Sequence, residues 1–223
     1  MTVKLFIQAL TKFLLGAVLV GLLIFLPAGT VAFWNGWLLM GLLFVPMFAA
    51  GLVMMAKNPA LLQSRLDAKE KEPEQKTVLL ISGVMFIVGF VLCGLNFRFG
   101  WLPLPNGVVI AASVVFLLAY VLYAEVLREN TYLSRTIQVQ EGQRVVDSGL
   151  YGIVRHPMYL ATVLLFLSIP LVLGSLVALA VFLVYPFVLV LRIRNEEAVL
   201  EAELDGYREY KQRVRYRLIP FVW

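Results

Sequence analysis

The sequence predicts an all-α integral membrane protein, because its composition is far more apolar than that of a soluble domain. Of the 223 residues, 61% are hydrophobic and only 15% are charged, and the mean hydropathy is +0.87. A soluble domain is about half apolar and about a quarter charged. Together these differences exclude a disordered chain, a coiled coil and a typical cytosolic enzyme.

Four apolar stretches are long enough to cross a membrane as helices, since a spanning helix needs about 20 apolar residues. They are residues 13–33, 37–55, 77–96 and 107–127. Trp34, Trp37 and Trp101 lie near the ends of these stretches, where aromatic side chains anchor a helix at the interface. The first stretch also has features of a signal peptide, because Lys4 and Lys12 precede it and it ends in a small-residue tail at Thr30-Val31-Ala32.

A fifth apolar run, residues 158–191, is too long for one span and slightly short for two. The positions of the basic residues favour two spans. If the run is a helical hairpin that turns near Pro170 and Gly174, every Lys and Arg except Arg98 lies on one side of the membrane. Basic residues accumulate on the cytoplasmic side, so this arrangement places both termini there. We therefore predict about six membrane segments, of which the last two form a short helical hairpin.

The chain divides into two regions by composition. Residues 1–128 contain the first four predicted transmembrane helices and a cytoplasmic loop at 56–76, whereas residues 129–223 contain the hairpin and most of the remaining polar residues. Polar residues are concentrated at 130–159 and 192–223, on either side of the hairpin. Because a hairpin brings its two ends together, these segments should meet at the cytoplasmic surface and form a site between water and lipid.

The final segment has the pattern of a cytoplasmic C-terminal amphipathic helix. Its apolar residues recur at a spacing that places them on one helical face, and they are Leu200, Leu204, Tyr207, Tyr210 and Val214. A helix of this kind lies on a membrane with its apolar face buried in the lipid.

Residues 149–159 contain the first group of candidate site residues. Pro157 restricts His156 to an extended conformation and is suited to the first position of a helix. His156 and Arg155 would then precede a helix N-terminus, whose free N–H groups attract a carboxylate or a phosphate. The alternative is an interfacial helix start, with Arg155 bound to lipid phosphate and Tyr159 acting as an anchor.

Acidic residues give the second group of candidates. Glu196 and Glu197 follow the hairpin, where an anionic lipid surface disfavours them unless a cationic or hydroxyl-bearing ligand binds there. Arg192 lies four residues before Glu196, so these two side chains can also form an ordinary ion pair. Glu125 lies three residues before Arg128, and we predict an interfacial ion pair there; the alternative is a site carboxylate that faces the bundle interior.

Composition and motifs exclude several kinds of cofactor site. A single histidine, His156, and a single cysteine, Cys93, exclude a His-rich metal site and argue against a Cys/His zinc site, so no metal is predicted. The sequence has no dinucleotide-binding GxGxxG after a strand, no P-loop and no GxSxG. The net charge of +5 indicates basic loops beside anionic lipid rather than a nucleic-acid partner.

The C-terminal region carries a combination of motifs with a known counterpart. In order, they are Gly149-Leu150-Tyr151-x-x-Val154-Arg155-His156-Pro157-x-Tyr159, Arg192-x-x-x-Glu196-Glu197-x-x-Leu200, Tyr207-x-x-Tyr210 and Arg217-Leu218-Ile219-Pro220. This combination resembles the isoprenylcysteine carboxyl methyltransferase family, which shares this half of the chain with the phospholipid methyltransferases. The resemblance covers about residues 132–220 and makes 129–223 the methyltransferase core. Residues 58–62 with Arg65, and 97–101, resemble prokaryotic members of the family.

The resemblance implies S-adenosyl-L-methionine as the methyl donor, bound at the cytoplasmic face. By this analogy the cofactor-binding residues are Tyr151, Val154, Arg155, His156, Pro157, Tyr159, Glu196 and Glu197. The helix start after His156 suits the carboxylate of the donor, and a glutamate suits its ribose or its amino group. The adenine could stack on Tyr151 or Tyr159. Arg192 and Glu196 are the implied catalytic residues, with Arg192 holding the acceptor.

The implied acceptor is the polar head, most simply a carboxylate, of a lipid or prenylated molecule in a prokaryotic plasma membrane. Three alternatives remain open at this point. The acceptor could be a phospholipid amine. The chain could be an NADPH-dependent sterol-type membrane reductase, since those enzymes resemble the same half. It could also be a membrane protein without enzymatic activity that binds anionic lipid.

Overall fold

The structure is a computed structural model that describes residues 2–66, 73–133 and 139–223, and it confirms the all-α prediction. Its helices are α1 (Thr2–Ala28), α2 (Trp34–Lys57), α3 (Pro59–Leu66), α4 (Pro73–Phe99), α5 (Asn106–Glu129), α6 (Pro157–Val172), α7 (Leu176–Phe182), α8 (Val184–Glu203) and α9 (Tyr207–Arg213). A 3₁₀ turn at Gly149–Gly152 precedes α6. Lys69, Lys71 and Arg135, used above to predict orientation, lie outside the described residues.

Five apolar segments of the described chain are long enough to cross a membrane. They are formed by α1, α2, α4, α5 and the combined α7 and α8, and α6 is a shorter apolar helix beside them. Many large apolar side chains on these helices point outward, and Phe187, for example, is 75% exposed. Outward-facing apolar side chains are expected where lipid replaces water as the solvent. The count of five long segments and one short one agrees with the predicted six, but the last segment, Leu176–Glu203, has 28 residues and is not short as predicted.

The predicted hairpin turn is present between α6 and α7. Gly174 adopts φ +72, a conformation that glycine reaches without strain, and its N–H donates to the carbonyl of Leu171. Ser175 then begins α7, because its hydroxyl accepts a hydrogen bond from the N–H of Ala178. The side-chain amide of Asn35, at the start of α2, donates to the carbonyl of Val172 at 3.0 Å. The hairpin turn and the start of α2 therefore lie at the same end of the bundle.

Two helix boundaries differ from the sequence-based prediction. The first helix was predicted at 13–33, but α1 covers Thr2–Ala28. It ends there because Gly29 adopts φ +71 and its N–H donates back to the carbonyl of Phe25, which closes the last turn. The predicted loop at 56–76 contains the short helix α3, and the Lys12 ammonium donates to the carbonyl of Leu66 at its end.

The predicted C-terminal amphipathic helix is divided into α8 and α9. The chain leaves the helix at Leu204, and Gly206 adopts φ +81 before α9 begins. The apolar residues predicted to face lipid form a small core of their own, in which Tyr207, Tyr210 and Val214 pack against Val145, Leu200 and Leu204. The C-terminal segment therefore closes over the 139–148 loop through this core.

The division at residue 128 stays a prediction, and one hydrophobic core contains residues from both sides of it. Ile24 of α1, Phe116 of α5 and Phe182 of α7 are all fully buried in this core. The carboxylate of Glu129, at the end of α5, accepts a hydrogen bond from the N–H of Leu150 at 2.9 Å. This contact ties the loop that follows α5 to the 3₁₀ turn and so positions the residues that precede α6.

We expect Gly94→Ala to lower the melting temperature, because α1 crosses α4 at Gly94. A Cβ atom at this position would lie 2.5 Å from the carbonyl oxygen of Ile24 and 2.9 Å from the nitrogen of Ala28. Overpacking of this kind costs about 1–3 kcal/mol. Gly83→Ala is the matched control on the same helix, where a Cβ meets nothing within 4 Å. Equal melting temperatures for the two variants in detergent would contradict this helix crossing.

Candidate functional site

A cleft lies where α6 begins and the second half of α8 ends, and it has a volume of about 100 Å³. Its walls come from the segment after α5, from the 3₁₀ turn, and from α6, α8 and α9. The lining residues are Asn130, Tyr132, Leu133, Gln143, Arg144, Val145, Val146, Tyr151, Arg155, His156, Met158, Tyr159, Arg192, Glu196, Leu200, Leu204, Tyr207 and Tyr210. The two polar segments that flank the hairpin do meet here.

The carboxylate of Glu197 is buried, with 3% of the residue exposed, and it joins three parts of the chain. Its Oε1 accepts a hydrogen bond from Nε of Arg155 at 2.7 Å and lies 3.2 Å from Nε2 of His156. Its Oε2 accepts from Nε of Arg217 at 2.9 Å. A buried charge of this kind is tolerated only when opposite charges and hydrogen bonds surround it.

Backbone hydrogen bonds reinforce the Glu197 network. The N–H groups of Arg155 and His156 donate to the carbonyls of Tyr216 and Arg217, at 2.9 Å and 2.8 Å. The Nη1 group of Arg155 donates to the carbonyls of Val214 and Arg215, at 2.6 Å and 2.8 Å. The segment after α9 is thereby bonded along the residues that precede α6, which fixes one wall of the cleft.

Glu196 has a different role from its neighbour, because its side chain lines the cleft. The hydroxyl of Tyr159 donates to Oε2 of Glu196 and accepts from Nε of Arg192 at 2.9 Å. The Arg192 guanidinium also lies over the Tyr159 ring, 6.0 Å from its centre. The hydroxyl of Tyr159 thus contacts both Arg192 and Glu196, the two residues that the sequence places four positions apart on one helical face. A carboxylate, a hydroxyl and a guanidinium meet on this wall.

Tyr207 brings a buried hydroxyl to the cleft. Among the described residues this hydroxyl has no hydrogen-bond partner, although the residue is 3% exposed. Burial raises the pKa of the Tyr207 phenol well above its ordinary value, and the carboxylates of Glu197 and Glu196 raise it further. The phenol therefore stays protonated at neutral pH. An unsatisfied buried hydroxyl costs free energy, and a polar ligand in the cleft would remove that cost.

Six of the residues predicted from sequence line this cleft. They are Tyr151, Arg155, His156, Tyr159, Arg192 and Glu196. Val154, Pro157 and Glu197 are not among its lining residues in the described chain. Val154 is buried, Pro157 is the first residue of α6, and Glu197 points into the network described above. The structure thus distinguishes the two glutamates, which the sequence did not.

Arg155 is less available to a ligand than the sequence predicted. Its Nε and Nη1 groups are bonded to Glu197 and to two backbone carbonyls, and the residue is buried. This arrangement assigns Arg155 mainly to holding the cleft wall. His156 also contacts Glu197, and its ring lies 5.7 Å from the Tyr159 ring at an interplanar angle of 30°.

Sequence reasoning missed the lining residues that come from the loop after α5 and from α9. Asn130, Tyr132, Gln143 and Arg144 belong to no motif whose spacing would identify them. Tyr207 and Tyr210 had been assigned to a lipid-facing helix. The hydroxyl of Tyr210 donates to the carbonyl of Tyr151 at 2.7 Å, which joins α9 to the 3₁₀ turn. The available signal was the Tyr207-x-x-Tyr210 motif quoted above, a pair of tyrosines in a segment predicted to face lipid.

Glu125 lies away from the cleft and forms the predicted ion pair. Nε of Arg128 donates to Oε2 of Glu125 at 2.8 Å, and both side chains are exposed near the end of α5. The predicted ion pair is therefore present, and its position at the membrane interface stays a prediction.

The comparisons with known proteins agree with the resemblance inferred from the motifs. Residues 105–202 match the model of the isoprenylcysteine carboxyl methyltransferase family. A solved structure titled as the eukaryotic intramembrane Ras methyltransferase ICMT, without a monobody, is similar with a TM-score of 0.55 and 20% identity. The match covers 92% of this chain and 73% of that one, and at this identity it shows a shared fold. The resemblance to this family is confirmed.

A second comparison matches a protein that is named as a reductase and not as a methyltransferase. The Delta(14)-sterol reductase of Mus musculus is 36% identical over 91 residues, which cover 40% of this chain. The matched region is only 22% of that reductase, so this chain spans a small part of the relative's length.

We expect Glu197→Gln to destabilise the protein strongly, because it leaves the buried Arg155 without a balancing charge. Breaking a buried ion pair costs about 3–5 kcal/mol. The matched control is Glu201→Gln, one turn further along α8, where Glu201 pairs with Lys211 at about one-third exposure. A surface pair contributes about 0–1 kcal/mol. A small and equal loss of melting temperature in both variants would contradict the proposed role of Glu197.

Proposed function

Because residues 105–202 match the isoprenylcysteine carboxyl methyltransferase family, we propose that this chain is an integral membrane methyltransferase. It uses S-adenosyl-L-methionine and methylates the polar head of a lipid or lipidated acceptor. The observation that supports this most directly is the group formed by Glu196, Tyr159 and Arg192, which lie together on one wall of the cleft. All three residues lie within the segment that matches the family model.

The cleft offers suitable partners for each part of the donor. Glu196 can accept hydrogen bonds from ribose hydroxyls or from the amino group, and the unpartnered hydroxyl of Tyr207 can bind another polar atom. The start of α6, beside His156, suits the donor's carboxylate. Tyr151 and Tyr159 supply aromatic faces for the adenine. We therefore propose these five residues as the donor site and Glu197 as the residue that positions its wall.

The chemistry requires alignment of two groups more than proton transfer. When bound, the donor supplies a methyl group on a positively charged sulfur, and this methyl passes to an acceptor oxygen in one displacement. The new bond joins that oxygen to the methyl carbon, and the electron pair of the broken bond stays on sulfur. A carboxylate needs no base for this step, so the protein's role is to hold the oxygen in line and exclude water.

Arg192 is the proposed partner of the acceptor carboxylate. Its guanidinium lines the cleft beside Tyr159, whose hydroxyl keeps it in place at 2.9 Å. A guanidinium is well matched to a carboxylate in charge and geometry. Methylation removes the negative charge of the acceptor, so the same guanidinium then binds the ester product less tightly and favours its release. With an amine acceptor, His156 or Glu196 would have to take a proton.

The matched segment of the sterol reductase supports a second candidate, an NADPH-dependent reductase. Arg144, Arg155 and Arg192 line the cleft and carry the charge that a phosphate-bearing cofactor needs. Two of Arg155's three nitrogens are already bonded to protein groups, which weakens this candidate. The two proposals differ in the cofactor that binds.

Calorimetry with S-adenosylhomocysteine and NADPH on detergent-purified protein tests both candidates. We expect S-adenosylhomocysteine to bind, and Glu196→Gln to weaken binding about tenfold or more, since hydrogen bonds to charged groups contribute about 1.5–3 kcal/mol. Glu201→Gln is the control on the same helix. Binding of NADPH alone would replace the methyltransferase proposal with the reductase. Binding of neither would contradict both and leave a lipid-binding membrane protein.

We also propose that both termini and the cleft face the cytoplasm of a prokaryotic plasma membrane, as the basic residues indicate. In a Cys93→Ala background, Leu176→Cys places a thiol beside the hairpin turn, where the residue is 46% exposed. Gln63→Cys places one on α3, beyond the opposite end of α2. An impermeant maleimide should label the first in intact cells and the second only after lysis. The reverse pattern would invert the proposed orientation.

A further inference from the structure

A second cavity, of about 530 Å³, lies among α1, α2, α3, α5 and α6. Its lining is mostly Leu, Met, Phe and Ala side chains. Along α5 it extends from Phe116 to Leu127, which corresponds to roughly 16 Å at the usual helical rise. Its shape and lining suit a hydrocarbon chain, which needs apolar contacts along its length.

The charged groups of this cavity are confined to one end. Lys12 and Arg65 line it there, beside Leu66 and Tyr123, and no Asp or Glu is among the lining residues of the described chain. The opposite end, near Phe116 and Ile169, is apolar. The cavity therefore has a cationic end and an apolar end, which is the complement of an anionic amphiphile.

The Arg65 guanidinium is held at the cationic end with unused hydrogen-bonding capacity. Its Nη2 group donates to the hydroxyl of Tyr123, and the guanidinium lies 5.6 Å from the centre of that ring. Its Nη1 group is buried and has no hydrogen-bond partner among the described residues. Because an unpaired buried charged donor is costly, an anion at this position would be stabilised. Lys12, bonded to the carbonyl of Leu66 at 2.6 Å, adds a second positive charge.

We propose that this cavity binds one anionic, single-chain amphiphile, with its head on Arg65 and Lys12 and its tail directed towards Phe116 and Ile169. The cationic end selects a carboxylate or phosphate head, and the apolar remainder accommodates one chain. An alkylammonium should not bind in this cavity, because the positive charges of Arg65 and Lys12 repel its head.

A single turn of α6 separates this cavity from the cleft. Thr162 lines the cavity, and its hydroxyl donates to the carbonyl of Tyr159 and accepts from the hydroxyl of Tyr185, each at 2.9 Å. Tyr159 lines the cleft on the other side. The proposed head position on Arg65 and Lys12 is distinct from Arg192, which lines the cleft and not this cavity. The amphiphile is therefore a second ligand beside the cleft, and its binding does not rest on the proposed function.

The test uses a palmitate analogue that carries a diazirine at the end of its chain, added to protein in neutral phosphatidylcholine nanodiscs. Irradiation should label residues near Phe116 and Ile169, as mapped by mass spectrometry. Excess palmitate should remove the label, and excess hexadecylamine should not. Labelling confined to outward-facing residues such as Leu118 and Val121 would overturn the proposal, because it would show contact with the surrounding lipid alone.

Two pairs of variants separate the head site from the tail site. Arg65→Gln should reduce labelling about tenfold, whereas Arg98→Gln, a basic residue that lines neither cavity, should leave it unchanged. Gly51→Phe should fill the cavity, since Gly51 lines it and a Cβ there meets nothing within 4 Å. Gly41→Phe is the control on the same helix, with equal space and no place in the cavity lining.

Each variant has an outcome that overturns part of the proposal. Undiminished labelling in Arg65→Gln would remove the head site, and undiminished labelling in Gly51→Phe would remove the tail site. Binding of S-adenosylhomocysteine, measured on the same variants, should be retained and also shows that they are folded. If the unaltered chain binds S-adenosylhomocysteine but is not labelled by the palmitate analogue, this inference is overturned and the proposed function still stands.

Discussion

The buried carboxylate of Glu197 is the constraint on which the cleft depends. Removing a carboxylate from water costs several kcal/mol, so the surrounding chain must supply compensating charge and hydrogen bonds. Arg155, His156 and Arg217 do so from two segments that lie far apart in sequence. Their convergence brings the residues before α6 against the segment after α9, and it holds both on the side of α8. A cleft with a defined polar wall follows from that closure.

The two adjacent glutamates of α8 have different roles because their side chains point in different directions. Successive residues on a helix point about 100° apart, because a turn contains about 3.6 residues. When Glu197 faces the buried network, Glu196 faces the cleft, where the hydroxyl of Tyr159 donates to it and Arg192 lies close by. One carboxylate therefore stabilises the fold and the other remains available for ligand binding. Exchanging their roles would require α8 to rotate and would expose the network to water.

The helix α6 separates two environments of different polarity. On one side, Tyr159 belongs to a cleft lined by charged and hydroxyl groups. On the other, Thr162 and Ile169 face an apolar cavity with cations at one end. Parts of this chain are similar both to a methyltransferase family and to a segment of a sterol reductase. Fold alone does not decide the activity of this chain.

The sequence by itself determined the all-α membrane architecture, the hairpin and the segments that form the cleft, because these depend on the length of apolar runs and the positions of basic residues. It did not determine the division between α8 and α9, although Asp205-Gly206 is a typical turn dipeptide. Only the tertiary structure decided which glutamate faces the cleft, since rotation of α8 is fixed by its partners. The pairing of Arg65 with Tyr123 was likewise invisible in sequence, because the two residues are 58 positions apart and meet only when α3 packs beside α5.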